Sequence, residues 1–120
     1  MSIRKNSDIP LIPGNEGTLI KQHFHPHNTL DGIRFSLAEF ILQVDKKSLP
    51  HKLKSSEVYF ILEGKGVLHV NEELFEMTKG DSAYVPPMSK QFIENSGKGD
   101  LRFLCIVDPA WKAEDEIVMR

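Results

Sequence analysis

Apolar and polar residues alternate along most of the chain in short runs, and each run is closed by glycine, proline, asparagine or aspartate. Alternation over four to eight residues is typical of a half-buried β-strand. The pattern predicts strands at residues 18–24, 33–44, 49–53, 57–62, 67–70, 74–77, 82–85, 90–94 and 101–107. Many short strands with a turn every few residues predict an all-β antiparallel sandwich or barrel.

The pattern is less regular in three places. Residues 35–43 lose the alternation, so a helix competes there with the strand, which the β-rich surroundings favour. Residues 1–17 form a polar, proline- and glycine-containing arm whose few apolar residues could add a strand to a partner. The short acidic tail after Pro109 is helix-like, and Trp111 is predicted to cap one end of the sandwich. We therefore predict one domain over residues 1–120, with an arm at 1–17, a barrel core at 33–108 and a tail at 109–120.

Composition and net charge argue against several classes of function. The chain has 120 residues, 40% of them hydrophobic and 27% charged, with a formal net charge of −2. This balance argues against a broad basic surface, so no nucleic-acid partner is expected. No apolar run approaches the ~20 residues that span a bilayer, and the first residues lack a signal-peptide core, so we expect a cytoplasmic protein without membrane contact. Cys105 is the one cysteine and lies among apolar residues, which predicts a buried, unreactive thiol.

Two stretches, residues 49–64 and 80–95, hold the polar residues of interest at recognisable spacings. The first stretch follows the pattern G-x5-H-x-H-x3–4-E-x6-G at His51, Leu53, Glu57 and Gly64, but without the glycine at its start. The second stretch matches G-x5-P-x-G-x2-H-x3-N at Gly80, Pro86, Met88, Gln91 and Asn95. In these two motifs the chain resembles the cupin superfamily, over roughly residues 33–108.

The resemblance implies a jelly-roll barrel, also called a double-stranded β-helix, with one metal ion in its pocket. It implies metal ligands at His51, Glu57 and Gln91. The chain departs from the family pattern where Leu53 replaces the second histidine and Gln91 replaces the last one. One imidazole, one carboxylate and one amide oxygen form a rather hard set, which suits the divalent ions Mn²⁺, Fe²⁺, Ni²⁺ or Zn²⁺. A competing interpretation is that these three polar residues only hydrogen-bond one another.

Two functions follow from this site. The first is a metal-dependent cupin acting on a small organic molecule, with Glu57 or Tyr59 moving a proton. Tyr59 shares a strand face with Glu57, although a tyrosine in this position is also an ordinary core residue. The second is a non-catalytic cupin that binds a small ligand, such as a sugar or an acid, without metal. In either case a homodimer is expected, because exposed sheet edges and an apolar arm invite pairing.

Three histidines, His23, His25 and His27, alternate with other residues near the first predicted strand. Residues at this spacing share one face of a strand, so they could bind metal, or His25 could reach the pocket and replace the ligand lost at Leu53. Pro26 argues against a continuous strand there. The favoured interpretation is an exposed edge strand with titrating histidines.

Overall fold

The chain folds into two antiparallel β-sheets in a computed structural model that describes residues 3–15, 17–27 and 32–119. The strands of this described part are β1 (Ile12–Pro13), β2 (Leu19–Phe24), β3 (Ser36–Leu42), β4 (His51–Leu53), β5 (Ser56–Glu63), β6 (Lys65–Val70), β7 (Glu73–Thr78), β8 (Ser82–Val85), β9 (Gln91–Asn95), β10 (Leu101–Asp108) and β11 (Glu116–Val118). Two single 3-10 turns occur at Asn6–Asp8 and Ala113–Asp115. The predicted all-β jelly roll is confirmed.

One sheet has six strands in the order β1-β2-β3-β10-β5-β8, and the other has five in the order β11-β4-β9-β6-β7. Neighbours in the sheets are often far apart in the chain, as β3 and β10 are, which is the topology of a jelly roll. The two strands β4 and β5 are consecutive in the chain but belong to different sheets. This crossing carries the motif of residues 49–64 from one sheet to the other.

The apolar core lies between the two sheets, where alternate residues of each strand point inward. Buried members of this core are Leu42, Tyr59, Ile61, Leu68, Met77, Val85, Ile93, Leu101, Phe103 and Cys105. Phe103 is at its centre, with its ring stacked on Phe40 and on Tyr59 at centroid distances of 5.5 Å each. Cys105 is 2% exposed, so the prediction of a buried thiol is confirmed.

The turn between β5 and β6 allows only glycine at its first position. Gly64 has a φ of +90°, a value that disfavours every residue with a β-carbon. A β-carbon built there would lie 2.7 Å from the backbone oxygen of Asp100. The glycine that ends the first motif therefore fixes a close crossing of two chain segments.

One ion pair is held on the outer face of the six-stranded sheet. Arg102 donates from Nε to Glu39 Oε2 at 2.9 Å and also from Nη2 to the same oxygen. This hydrogen bonding raises the pKa of Arg102. Glu39 is only 6% exposed, so its charge depends on this partner.

Both ends of the chain join the sheets, which differs from the sequence prediction. The tail was expected to be helix-like, but after one 3-10 turn it forms strand β11, which pairs with β4. The arm, for which pairing with a partner was one possibility, supplies strand β1 to β2 of the same chain. The competing helix at residues 35–43 is excluded by strand β3. Across the described residues no helix is both long and apolar enough to cross a membrane.

Candidate functional site

A cavity of about 330 Å³ opens at one end of the sandwich, where β3 and β5 begin and β10 ends. Ser36, Val107 and Glu57 are register partners across these three strands, and all three line the cavity. His51 and Leu53 line it from the opposite sheet. The sheet crossing between β4 and β5 thus brings both halves of the first motif to one cavity.

His51 is buried, with 4% of its surface exposed, and its ring is held by the backbone. Its Nδ1 lies 2.9 Å from the carbonyl oxygen of Leu49. Because a carbonyl oxygen only accepts, Nδ1 carries the proton in this hydrogen bond. In the neutral ring the lone pair is then on Nε2, which is the tautomer that a metal ion or a hydrogen-bond donor requires.

Glu57 lines the same cavity from the start of β5 and is 5% exposed. Strand alternation places its side chain on the inward face together with Tyr59. A carboxylate buried to this degree, next to an imidazole lining the same cavity, can accept a proton or bind a cation. His51 and Glu57, which both belong to the first motif, therefore line the same cavity.

Gln91 and Tyr59 form a hydrogen bond behind the cavity. The Tyr59 hydroxyl donates to Gln91 Oε1 at 2.5 Å, and both residues are almost completely buried. Gln91 is the register partner of His51, so the two side chains lie on the same face of their sheet. Neither Gln91 nor Tyr59 is among the residues that line the cavity. Their predicted roles, as metal ligand and as proton donor, stay predictions.

The fit of a metal ion to these residues is mixed. Within the described ranges, no three histidine, cysteine, aspartate or glutamate side chains come close enough together to hold a metal ion. His51 has the correct tautomer, and Glu57 lines the same cavity. The third ligand would have to be the amide oxygen of Gln91, which already accepts from Tyr59 but retains a second lone pair. The residues fit a metal ion with one strong imidazole, one carboxylate and one weak ligand.

The three alternating histidines occupy different environments. Strand β2 ends at Phe24 and lies between β1 and β3, so it is not an edge strand. His25 follows it, is 8% exposed and lines the cavity, so the favoured interpretation of an exposed strand is wrong for this residue. Burial lowers the pKa of His23, whose Nε2 has no hydrogen-bond partner among the described residues. His27 is exposed at the cavity rim.

The tail supplies two cavity residues that sequence reasoning missed, Trp111 and Glu116. The Trp111 indole Nε1 donates to Glu116 Oε2 at 3.1 Å. Three consecutive acidic residues, 114–116, make this part of the sequence resemble an exposed helix. The sequence signal that could have found them is the apolar pair Ile117-Val118. Strand β11 has only three residues, which are too few to show an alternating pattern.

Comparison with known proteins places the chain among relatives of the same fold. The cupin domain family matches residues 38–107. An uncharacterized protein of Methanocaldococcus jannaschii is 41% identical over 105 residues, which cover 87% of this chain and 83% of that protein. An RmlC-like cupin from Shewanella frigidimarina superposes with a TM-score of 0.79 at 15% identity, covering 93% of this chain and 94% of that one. The oxalate decarboxylase of Bacillus subtilis, a protein with Mn(II) centres, superposes with a TM-score of 0.79 at 19% identity, covering 91% of this chain and 29% of that one.

Proposed function

The chain belongs to the cupin domain family, and from this premise we propose that it binds a small organic molecule in the cavity, beside a divalent metal ion held by His51, Glu57 and Gln91. The observation that carries the proposal is the fixed tautomer of His51, which leaves Nε2 as the basic nitrogen in a cavity shared with Glu57. The Mn(II) centres of the structurally similar oxalate decarboxylase support Mn²⁺ as the first ion to test, with Fe²⁺, Ni²⁺ and Zn²⁺ beside it.

Each residue has a separate task in this proposal. When bound, the metal ion polarises a carbonyl or hydroxyl group of the molecule in the cavity. Glu57 accepts or returns a proton, since a carboxylate buried beside the ligand is a general base. Tyr59 orients the amide of Gln91 through its hydroxyl, which sets the direction of the Oε1 lone pairs. In the enzyme of this proposal, Tyr59 is therefore a positioning residue for the metal ligand.

A non-catalytic binding protein that holds a small ligand such as a sugar or an acid, without metal, is the second candidate function. Two observations favour it: Leu53 presents an apolar side chain where a metal-binding cupin has a histidine, and Tyr59 already uses one lone pair of Gln91. In that case His51 and Glu57 bind the ligand directly by hydrogen bonds. The two candidates differ in whether stoichiometric metal is present.

Metal content separates them. The protein is purified without a histidine tag and without chelator, and its metal is measured by mass spectrometry after addition of Mn²⁺, Fe²⁺, Ni²⁺ or Zn²⁺. We expect about one equivalent of metal in the native protein, with a large loss in His51→Ala. His69→Ala is the matched control, because His69 lies outside the cavity beside Glu94 and its loss leaves the metal in place.

A second variant adds a metal ligand to the site instead of removing one. Leu53→His restores the missing imidazole on the cavity wall, and we expect Mn²⁺ affinity to rise about tenfold or more. Absence of metal from the native protein with every ion would rule out the first candidate and leave the second. Metal retained by His51→Ala would move the site to the alternating histidines near β2.

A homodimer is also part of the proposal. The outer face of the six-stranded sheet exposes large apolar side chains: Phe60 and Ile106 are each 42% exposed, and Tyr84 is 62% exposed. Contiguous apolar surface of this kind on a soluble protein supports an interface. Sedimentation analysis should give a dimer that Phe60→Glu converts to a monomer, and a native monomer would contradict it. Cytoplasmic location and the absence of a nucleic-acid partner remain predictions.

A further inference from the structure

The tail strand β11 brings a carboxylate to the wall of the cavity that the family motif leaves apolar. Glu116 is the register partner of Leu53, so the two side chains lie on the same, inward face of the five-stranded sheet. The strand is held at its far end, where Met119 N donates to the oxygen of Pro50 at 2.7 Å. Leu53, where a histidine is missing, and Glu116 are thus neighbours in the same cavity.

Trp111 holds one oxygen of the Glu116 carboxylate in place, and hydrogen bonds to the backbone of Trp111 hold this residue in turn. Its N–H donates to Ser36 Oγ at 3.1 Å, and its carbonyl oxygen accepts from His25 Nε2 at 2.6 Å. Its indole N–H then donates to Glu116 Oε2. The carboxylate is therefore held in place by a rigid chain of hydrogen bonds, which is the arrangement of a preorganised recognition site.

The other oxygen of this carboxylate has no hydrogen-bond partner. Glu116 Oε1 is buried, and the described residues offer it no donor. A buried carboxylate oxygen without a donor is unfavourable, because its charge is poorly solvated. Because Oε1 is closed off even from a water-sized molecule, Glu116 acts on a molecule in the cavity through its negative charge and not through a hydrogen bond at this oxygen.

The charged residues of the cavity wall indicate which charge a ligand would carry. The described lining of the cavity contains two carboxylates, Glu57 and Glu116, and three histidines, His25, His27 and His51, but neither lysine nor arginine. The remaining walls are largely apolar and include the aromatic rings of Phe40 and Trp111. Carboxylates and an indole face favour a cation, through charge-assisted hydrogen bonds and a cation–π contact.

We infer that Glu116 is a ligand-recognition residue and that the cavity takes a small, largely apolar molecule carrying a protonated amine. The volume of about 330 Å³ is at the lower end of the usual range for ligand cavities and suits a single ring with a short chain. The inference rests on the proposed function only in that the cavity is the ligand site; where Glu57 binds a metal ion, Glu116 is the carboxylate that remains for the amine.

Three probes on one scaffold test it: phenethylamine, 2-phenylethanol and phenylacetate, titrated calorimetrically into the full chain at neutral pH. We expect the amine to bind about tenfold or more tightly than the alcohol, and the carboxylate to bind least. In Glu116→Gln, which keeps the size of the side chain, the amine should lose about tenfold or more in affinity while the alcohol changes little. Glu114→Gln, an exposed change in the same tail, is the matched control and should leave all three affinities unchanged.

Other results overturn the inference in distinguishable ways. Phenylacetate binding as tightly as the amine, or unchanged amine affinity in Glu116→Gln, would overturn the role of Glu116 but leave the cavity as a ligand site. No binding of any of the probes would overturn the amine proposal and count against the cavity, while the metal measurement tests the metal part of the proposed function separately. Should Glu116→Gln fail to fold, the order of the three probes on the native chain decides alone.

Discussion

Replacing Tyr59 by phenylalanine removes one hydroxyl group from the centre of the sandwich without changing the shape of the ring. In the native chain this hydroxyl donates to Gln91 Oε1 at 2.5 Å, with 2% of Tyr59 and 1% of Gln91 exposed. The variant therefore leaves a buried amide oxygen without this donor. A buried polar group that loses its partner costs about 1–3 kcal/mol, so we expect Tyr59→Phe to lower the free energy of unfolding by about 2 kcal/mol.

Urea unfolding followed by circular dichroism measures this change. For a domain of this size, about 2 kcal/mol corresponds to a fall in melting temperature of roughly 6–12 °C. Tyr84→Phe is the matched control, because Tyr84 lies on the outer face of the six-stranded sheet, outside the core, and is 62% exposed in the single chain, so the change should stay within about 0.5 kcal/mol.

A double-mutant cycle separates the hydrogen bond from the packing around it. Gln91→Met replaces the amide by an apolar group of similar length and leaves the tyrosine hydroxyl without its acceptor. The double variant removes both partners, so its cost should be less than the sum of the single costs by about 1–2 kcal/mol. Strict additivity, or a Tyr59→Phe variant as stable as the native protein, would refute the hydrogen bond as a structural element and return Tyr59 to the list of proton donors.

Three further predictions concern stability. Arg102→Ala leaves the buried Glu39 carboxylate without its donor and should cost about 2–3 kcal/mol in urea unfolding, and a loss under about 1 kcal/mol would contradict this. Gly64→Ala combines positive φ with a β-carbon 2.7 Å from a backbone oxygen, so it should lower the free energy of unfolding by about 3 kcal/mol. Gly80→Ala is the control, because Gly80 has a similar φ but open space around it, and it should cost about 1 kcal/mol. Equal costs for the two variants would contradict the prediction. Burial lowers the pKa of His23 below its ordinary value of 6.5, so the unfolded chain takes up the proton more readily and stability falls as the pH drops below about 6.5. His23→Gln should flatten that fall between neutral pH and pH about 5, and parallel pH profiles would contradict it.

The strands were predictable where the chain alternates and turns are marked by glycine and proline. Strand β5, expected at residues 57–62, runs from Ser56 to Glu63, because the inward residues Tyr59 and Ile61 are apolar and glycine closes the strand. His51 and Glu57 were predictable as residues of one cavity because the motif places them on consecutive strands, β4 and β5, with a short crossing between. Both conclusions depend on local spacing, which the sequence carries directly.

The remaining parts of the site depend on contacts between distant segments. His25 was assigned to the surface because its neighbours read as a strand, yet the strand ends one residue earlier and the histidine turns to the carbonyl of Trp111, 86 positions away. Glu116 was read as part of a solvated helix because its neighbours are acidic, whereas pairing with β4 decides its direction. Short segments such as these take their conformation from the partner strand, and no local pattern records that partner.

Trp111, which lines the cavity and donates to Glu116, gives the cavity an intrinsic fluorescent reporter. Trp111 is the one tryptophan of the chain, and its indole N–H points at a carboxylate in the cavity wall. The emission of indole responds to charge and polarity around the ring, so anything that enters the cavity alters the fluorescence of the whole protein. Compound collections can therefore be screened against the unlabelled chain, with its own tryptophan as the reporter of occupancy.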